Sequence, residues 1–303
     1  MADITRAEVA SLIGEEYGPQ TIKAATQGST AIAAFPTVSM GTKTRHMPVL
    51  ATVPDAEWVG DTDNTGVKPT GEATWADKNL VAEEVAVILP IHENTLDDAT
   101  EDILAQLAEL GGQALGKKLD QAVLFGIDKP VSWTSLDLLA AAVASGQAVE
   151  AVDGAASESD IYGATLQVAG MVADVGFDPE TLIAKRALQY KLANLRDTTG
   201  NMILDGDTIR GFETFWSRNG AWDAASAVDF VVDPSTVRIG IRQDVTVKFL
   251  DQATVGGINL AEKDMVALRF KARFAYVLGN PATPETGVAS YGVGAVTPDI
   301  TVE

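Results

Sequence analysis

The sequence contains no cysteine and only two histidines, His46 and His92, among its 303 residues. Without cysteine, disulfide bonds, thiol nucleophiles and cysteine-ligated zinc are excluded. Two histidines are too few for a multi-histidine metal site. No run approaches the roughly 18 apolar residues that a membrane span requires, and the N-terminus lacks the cationic and apolar regions of a secretory signal. We therefore expect no membrane association, and a protein that leaves the cytoplasm only on lysis.

Basic residues are also scarce, with 22 Lys and Arg against 42 Asp and Glu and a formal net charge of −20. Proteins that bind nucleic acid by neutralising its phosphates carry a basic surplus instead. Most of this surface would repel DNA, which suits a container for nucleic acid as well as a soluble acidic enzyme. With 46 % hydrophobic residues, the chain is expected to bury a sizeable core in one large domain or two ordinary ones.

One segment has the spacing of a calcium-binding loop. Asp61, Asp63, Thr65 and Gly66 stand at positions one, three, five and six, and Glu72 stands at position twelve. Position nine, however, is a proline without a side-chain oxygen, and the flanks read as loop and strand rather than as two helices. A polar turn at a loop tip is therefore the favoured interpretation.

Other patterns give little support for catalysis. The segment Gly111–Lys118 resembles a phosphate-binding loop, but it ends in lysine instead of serine or threonine and lies inside a predicted helix. No Ser–His–Asp arrangement is legible, and adjacent acids such as Glu83–Glu84 are typical of solvated or capping groups. We predict no enzyme activity, no cofactor, and no catalytic, cofactor-binding or metal-binding residue. A hydrolase-like or calcium-dependent enzyme is the alternative from a different class.

Two strand patterns flank a long polar segment. Apolar residues alternate over Arg45–Val53 and again over Leu80–Ile91. The connection Pro54–Asn79 contains Trp58 and Trp75 and is far longer than most loops in compact domains. Because an isolated ribbon is only marginally stable and tryptophan is typical of interface anchors, we expect the ribbon to contact a partner. The alternative is a loop folded back over its own domain.

The remaining pattern mixes helix and strand. Residues 1–43 read as an arm, either with a short helix at Ala7–Tyr17 or as a disordered terminus. A long amphipathic helix is predicted after Asn94 or Thr95, with Leu110 and Ala114 in its apolar stripe. Further helices are predicted at Ser135–Ala144, at about Ser157–Val175 and at Lys185–Leu195. Strands are predicted at Thr181–Ala184, Phe230–Val232, Val237–Ile241, Val245–Leu250 and Met265–Leu278, with a linker at Gly146–Ser159 and an irregular tail after Pro281.

This order of elements resembles the tailed-phage major capsid proteins of the Hong Kong 97-type fold. The segments that carry the resemblance are Pro48–Trp58 (PVLATVPDAEW), Ala82–Asp97 (AEEVAVILPIHENTLD), Leu115–Gly126 (LGKKLDQAVLFG), Asp233–Phe249 (DPSTVRIGIRQDVTVKF) and Asp264–Leu278 (DMVALRFKARFAYVL). The resemblance implies an α+β capsid fold. It implies an N-terminal arm (1–43), an extended loop (44–92) laid across a neighbouring copy, a peripheral domain with the spine helix (93–154), an axial domain (155–260) and a return to the peripheral domain (261–303).

The resemblance also implies a function. The chain would be a structural protein that self-assembles into pentamers and hexamers of an icosahedral shell around the DNA genome. A scaffolding protein, a portal and decoration proteins would be its partners, in the host cytoplasm and then in the virion. Some relatives join the extended loop to a neighbour by a Lys–Asn isopeptide bond, for which Lys68 or Lys78 with Asn280 are the candidates. An encapsulin-type bacterial compartment, which shares the fold, is the alternative within the structural class.

Overall fold

The structure is a computed structural model and describes residues 28–56, 70–94, 103–151, 158–193 and 211–298. These residues form helices and sheets in an α+β arrangement, as predicted. The α-helices are α1 (Thr30–Ala34), α2 (Ile103–Phe125), α3 (Leu138–Ala144), α4 (Glu158–Asp174) and α5 (Arg186–Ala193). The strands are β1 (Thr37–Ser39), β2 (Thr44–Thr52), β3 (Thr74–Val81), β4 (Glu83–His92), β5 (Ala148–Ala151), β6 (Thr181–Lys185), β7 (Glu213–Ser217), β8 (Asp229–Val232), β9 (Val237–Leu250), β10 (Thr254–Val255), β11 (Ile258–Asn259), β12 (Met265–Leu278) and β13 (Val293–Pro298).

A four-stranded sheet with the order β1-β9-β12-β4 lies against helix α2. Strand β12, predicted as Met265–Leu278, runs antiparallel to both β9 and β4. Strand β4 alternates as expected, with Val85, Val87 and Leu89 packed on the core and the residues between them exposed. The strands predicted separately at Val237–Ile241 and Val245–Leu250 are one strand, β9, whose pairing with β12 has an irregularity near Arg273.

The second predicted strand of the ribbon is corrected by the pairing. The pattern over Leu80–Ile91 contains two strands, which are separated at Ala82. Strand β2 pairs with β3 from Thr44↔Val81 onward, whereas β4 joins the four-stranded sheet. The break has a structural reason, because Ala82 is buried and its amide donates to the carbonyl oxygen of Lys43 at 2.8 Å. The second strand of the ribbon, β3, therefore begins at Thr74, in a segment that the sequence pattern placed in the long connection.

Helix α2 is the predicted spine helix over its described part, and residues 95–102 lie outside the described residues. Leu115, Leu119 and Val123 are buried as predicted. Leu110 is 57 % exposed and Ala114 is also exposed, so their placement in the apolar stripe was wrong. The helix instead turns Gly111 towards the sheet, where the ring of Phe270 packs against it.

A five-stranded sheet with the order β5-β13-β8-β6-β7 forms the second layer. Three of its strands were not predicted. Strand β5 lies inside the expected linker, β13 inside the expected irregular tail, and β7 had no prediction. Strand β13 lies between β5 and β8 in the sheet. Its residues Val293–Val296 are buried, and they face the core on both faces of the sheet. Strands covered on both faces lack the alternation that makes a strand recognisable.

The core continues from one sheet to the other. One cluster joins α2, α3 and the four-stranded sheet to one face of the five-stranded sheet, where Phe230, Val232 and Ala295 lie. A second cluster fills the space between the opposite face and helices α4 and α5, with Val231 and Val296. Helices α4 and α5 confirm the helices predicted at about Ser157–Val175 and at Lys185–Leu195. Helix α3 begins at Leu138, and Asp137 caps its N-terminus.

Candidate functional site

A tryptophan is exposed on the two-stranded ribbon of β2 and β3. Trp75 lies opposite Leu50, and Asp77 lies opposite Pro48. Residues paired across an antiparallel ladder share one face, and Trp75 is 67 % exposed there. Nδ1 of His46 lies 2.6 Å from Oδ2 of Asp77 on the same face. We call this surface the ribbon face; its members are His46, Pro48, Leu50, Trp75, Asp77 and Asn79. The second predicted anchor, Trp58, lies outside the described residues.

The opposite side of the ribbon is attached to the body of the subunit. Leu80 is fully buried in a cluster with Met40 and Val277, and Met47 packs against that cluster. The amide of Ala282 donates to the carbonyl oxygen of Leu50 at 2.8 Å. The ribbon therefore has one face that is held by its own subunit and one face that is left open.

The outer face of the four-stranded sheet carries a row of cations. Lys248 of β9 lies opposite Arg269 of β12. Lys271 and Arg273 follow Arg269 along β12 and lie on the same face of the sheet as Arg269. The opposite side of these strands holds Val247, Phe270 and other core residues. We call the outer surface the basic face and define it by Lys248, Arg269, Lys271 and Arg273, with the exposed Ala86, Ile88 and Pro90 of β4 beside them.

Glu84 of β4 is a carboxylate that pairs with two of these cations. Oε2 of Glu84 is 2.6 Å from Nζ of Lys271 and 3.2 Å from Nη2 of Arg273. The hydrogen bond from Lys271, with a smaller contribution from Arg273, lowers the pKa of Glu84. Lys248 and Arg269 have no ion-pair partner in the described part of the chain, and Nε of Arg269 is buried there without a hydrogen-bond acceptor.

The last part of the predicted arm is docked on α2 through Asp120. This fully buried carboxylate accepts hydrogen bonds from Ser29 Oγ at 2.7 Å and from the amides of Thr30 at 2.8 Å and Ala31 at 3.0 Å. It also accepts one from Nδ2 of Asn219 at 2.6 Å. Burial raises the pKa of Asp120, and the four donors oppose that rise. The helix predicted at 7–17 lies outside the described residues.

A second buried carboxyl lies between the five-stranded sheet and α4. Asp229 Oδ2 accepts a hydrogen bond from Thr165 Oγ1 at 2.7 Å. Its Oδ1 has no hydrogen-bond partner among the described residues. Burial, opposed only by the bond from Thr165, raises the pKa of Asp229 from 3.8 to about 7. Neither buried acid could be recognised from the sequence, because their partners lie tens of residues away.

The patterns weighed for chemistry are not assembled into a site in the described residues. No group of three or more His, Asp or Glu side chains there is arranged to hold a metal ion. Most of the calcium-loop pattern, residues 61–69, lies outside the described residues. The segment Gly111–Lys118 is helical in α2, so its amides are not presented as a phosphate-binding loop. His92 ends β4 opposite Met265, on a different element from His46.

Two of the three candidates for a covalent link, Lys78 and Asn280, lie in the described residues. Lys78 pairs with Met47 in the ribbon, and Asn280 follows Gly279, whose amide donates to the carbonyl oxygen of Thr236. Lys68 lies outside the described residues, and the isopeptide bond stays a prediction. No described helix is both long and apolar enough to cross a membrane.

The comparisons with known proteins decide between the remaining interpretations. The model of the Phage capsid family matches residues 12–283. A solved chain of Mycobacterium phage Cain is 57 % identical, with 99 % of this chain and 100 % of that chain covered at a TM-score of 0.83. This chain belongs to the phage capsid family. A chain of Microbacterium phage Oxtober96 is 38 % identical over 98 % of this chain and 100 % of that one, at a TM-score of 0.77.

More distant matches bear on the fold of this chain and not on its function. The capsid of an empty GTA particle is 15 % identical over 89 % of each chain, at a TM-score of 0.62, which indicates a shared fold alone. Among curated proteins no match is found.

Membership of the family confirms the main functional predictions. The chain is a major capsid protein of a tailed phage, a structural component of the virion that self-assembles into a shell, and it is not an enzyme. The encapsulin alternative is not favoured, because the family and the structures at high identity are those of phages. For a capsid protein, the surfaces that contact other copies are the functional site. The ribbon face, the basic face and the docked arm are the described surfaces with features that suit such contacts.

Proposed function

We propose that this capsid protein builds an icosahedral shell from pentamers and hexamers, in which the ribbon of each copy lies on a neighbouring copy. The observation that carries the proposal is the exposure of Trp75 on a ribbon whose other face is held by its own subunit. An ordered, exposed tryptophan favours association, because burying an aromatic ring contributes much of the binding energy of protein interfaces.

The elements also support a division of the subunit into an arm, an extended loop and two domains. We propose that residues 1–43 act as an arm, that 44–92 include the extended loop, that α2 and the four-stranded sheet form the peripheral domain, and that the five-stranded sheet with α4 and α5 forms the axial domain. Several boundaries move from the sequence-based expectation, and β9, expected in the axial domain, pairs within the four-stranded sheet and would belong to the peripheral domain. Strand β4 pairs within the four-stranded sheet, so the extended loop would end near Ala82, and β5 and β13 would belong to the axial domain.

The charge of the chain bears on its other partners. We propose that a scaffolding protein guides assembly in the host cytoplasm, that a portal and decoration proteins complete the particle, and that DNA is enclosed without specific binding. A net charge of −20 supports the last point, because a wall of like charge does not trap the packaged genome by electrostatic attraction.

The substitution Trp75→Ala tests the role of the ribbon. The yield of shells should fall strongly, whereas the free energy of unfolding of the isolated subunit should change by less than about 0.5 kcal/mol, as for other surface substitutions. Electron microscopy and sedimentation measure the yield, and chemical denaturation measures the stability.

Trp133 provides the matched control. It is 5 % exposed and its Nε1 donates to the carbonyl oxygen of Val81 at 2.9 Å, so Trp133→Ala should cost about 3–5 kcal/mol of subunit stability. If Trp75→Ala destabilised the isolated subunit as much as Trp133→Ala does, Trp75 would belong to the core of its own subunit and the proposed contact would be wrong.

A further inference from the structure

Asp120 joins three segments that are far apart in the sequence. Its Oδ1 accepts hydrogen bonds from Ser29 Oγ and from the amide of Ala31. Its Oδ2 accepts hydrogen bonds from the amide of Thr30 and from Nδ2 of Asn219. The donors belong to the arm and to the loop after β7, whereas Asp120 itself belongs to the spine helix α2. We call this group of five residues the Asp120 latch.

The two side-chain donors of the latch also hold their own segments. Ser29 Oγ accepts from the amide of Ile32 at 3.2 Å and thereby caps α1, a helix of five residues that is too short to be stable alone. Asn219 Oδ1 accepts from the amide of Ala221 at 3.0 Å. Nδ2 of Asn219 also donates to the carbonyl oxygen of Gly28. The arm and the loop are therefore bound to one carboxylate and to each other.

The burial of Asp120 makes these contacts depend on one another. The side chain is fully buried, and a buried carboxylate is unfavourable unless hydrogen bonds replace its hydration. Release of either segment would open the site to water, and a hydrated carboxylate no longer requires the donors of the other segment. We therefore expect two states of the latch. One has all four donors in place, and the other has both the arm and the loop released.

An aromatic cluster beside the latch holds the same loop on the spine helix. The ring centroid of Phe125, the last residue of α2, lies 5.4 Å from that of Trp222 in the loop and 5.6 Å from that of Phe230 in β8. Apolar contacts are non-directional, whereas hydrogen bonds require defined positions of donor and acceptor. The Asp120 latch therefore fixes an angle between α2 and the five-stranded layer that the aromatic cluster alone would leave free.

We infer that Asp120 is the positioning residue of a latch that docks the arm, fixes the five-stranded layer on the spine helix and opens as one unit. The inference rests on the proposed function, because a chain that enters both pentamers and hexamers has to fit more than one environment. The closed latch limits the shapes that one copy can take, and it thereby limits the sizes of shell that form.

Thiol labelling of dissociated subunits tests whether the latch opens locally. Because the chain has no cysteine, Thr30→Cys and Ala221→Cys each place a single thiol in the arm or in the loop. Thr181→Cys places one in β6 as the reference, and all three side chains are buried. The arm and loop thiols should react with a maleimide at least about tenfold faster than the reference and with less dependence on urea, because local opening exposes less surface than global unfolding. Equal rates at all three positions would overturn the inference.

Two substitutions test whether the arm and the loop open together. Asp120→Asn leaves one acceptor oxygen for four donors, so its NH2 group faces two of them in either orientation. Ser29→Ala removes a donor of the arm alone. Each should speed the labelling of both the arm and the loop thiol by about tenfold or more, because hydrogen bonds to a charged group are lost. If Ser29→Ala accelerated the labelling of the arm alone, the two segments would open separately and the latch would not be one unit.

Asp229→Asn is the matched control. Asp229 is also a buried carboxyl group, but it connects β8 to α4 within one layer. The control should leave the labelling of the arm thiol within about twofold of wild type, because distant sites without shared partners act independently. An acceleration equal to that of Asp120→Asn would show that any change at a buried acid loosens the arm, and it would refute the positioning role.

Electron microscopy of particles assembled from the full-length Asp120→Asn chain tests the consequence for the shell. These particles should vary more in diameter than those of wild type and of Asp229→Asn. A wild-type distribution of diameters at wild-type yield would contradict the positioning role. If the wild-type chain itself formed no shells, the proposed function would fail, and the labelling rates would still decide whether the latch exists.

Discussion

Asp229 is a carboxyl group held in a position that favours its protonated form. It is fully buried, its Oδ1 lacks a partner among the described residues, and burial raises its pKa from 3.8 to about 7. Between these two values the folded subunit binds a proton that the unfolded chain releases. The free energy of unfolding therefore falls as pH rises through that interval, by up to about 1.4 kcal/mol per pH unit from this group.

The substitution Asp229→Asn should remove this dependence, because an amide has the shape of the protonated carboxyl and does not titrate. The variant should be more stable than wild type at pH 8, and the difference should shrink towards pH 5. Denaturant unfolding of dissociated wild-type and variant subunits at both values measures it, and the titrations of all other groups cancel in the comparison. A difference that stayed constant across the two values would show that Asp229 does not titrate in this interval.

At the scale of elements, the contact of helix α2 with the four-stranded sheet depends on Gly111. A Cβ added there would lie 2.7 Å from the ring of Phe270, well inside normal contact distance. Glycine has low helix propensity, so its presence in the middle of a 23-residue helix costs stability that the close packing offsets. Helix α4 contains the opposite case, since a Cβ at the exposed Gly170 would meet no atom within 4 Å.

The pair Gly111→Ala and Gly170→Ala separates packing from propensity. Gly111→Ala should destabilise the subunit by about 1–3 kcal/mol, because the added methyl group overpacks the contact with Phe270. Gly170→Ala should stabilise it by about 0.5–1 kcal/mol, because alanine is the better helix former and the space is open. Thermal and denaturant unfolding of the isolated subunit measures both. Stabilisation by both substitutions would mean that α2 does not approach the sheet as described.

The elements that could be predicted from the sequence are those with one face in the core and one in water. The alternation in β4 and β12 and the apolar stripe through Leu115 and Leu119 arise in this way. These patterns predicted the long late strand and the spine helix. Strand β13 could not be recognised, because it is buried on both faces and its residues do not alternate. The pairing of β3 with β2 was missed because the break at Ala82 depends on a contact with Lys43, and local periodicity does not report such contacts.

The surfaces of the site were predictable only in part. Trp75 was identified as an interface anchor from its residue type and the length of its connection, and the structure leaves it exposed. The basic face could not be identified, because Lys248 and Arg269 are 21 positions apart in the sequence and only the register of β9 and β12 places them together. The anchor between Ser29 and Asp120 joins residues 91 positions apart and was invisible for the same reason.

At the scale of the whole molecule, the subunit has a closed core and a surface that leaves contacts for other copies open. Two sheets and the helices around them share a continuous interior, while the ribbon face and the basic face remain open in one copy. A chain with a net charge of −20 repels its own copies at long range. Contacts of opposite charge and apolar area at defined positions therefore have to supply the attraction that closes a shell.

Electron cryo-microscopy of particles formed by the full-length chain tests this account most directly. We expect closed shells of pentamers and hexamers in which the ribbon of each copy lies on a neighbouring copy, with Trp75 covered. A chain that stayed a monodisperse monomer under all assembly conditions, or shells in which Trp75 remained open to solvent, would contradict it.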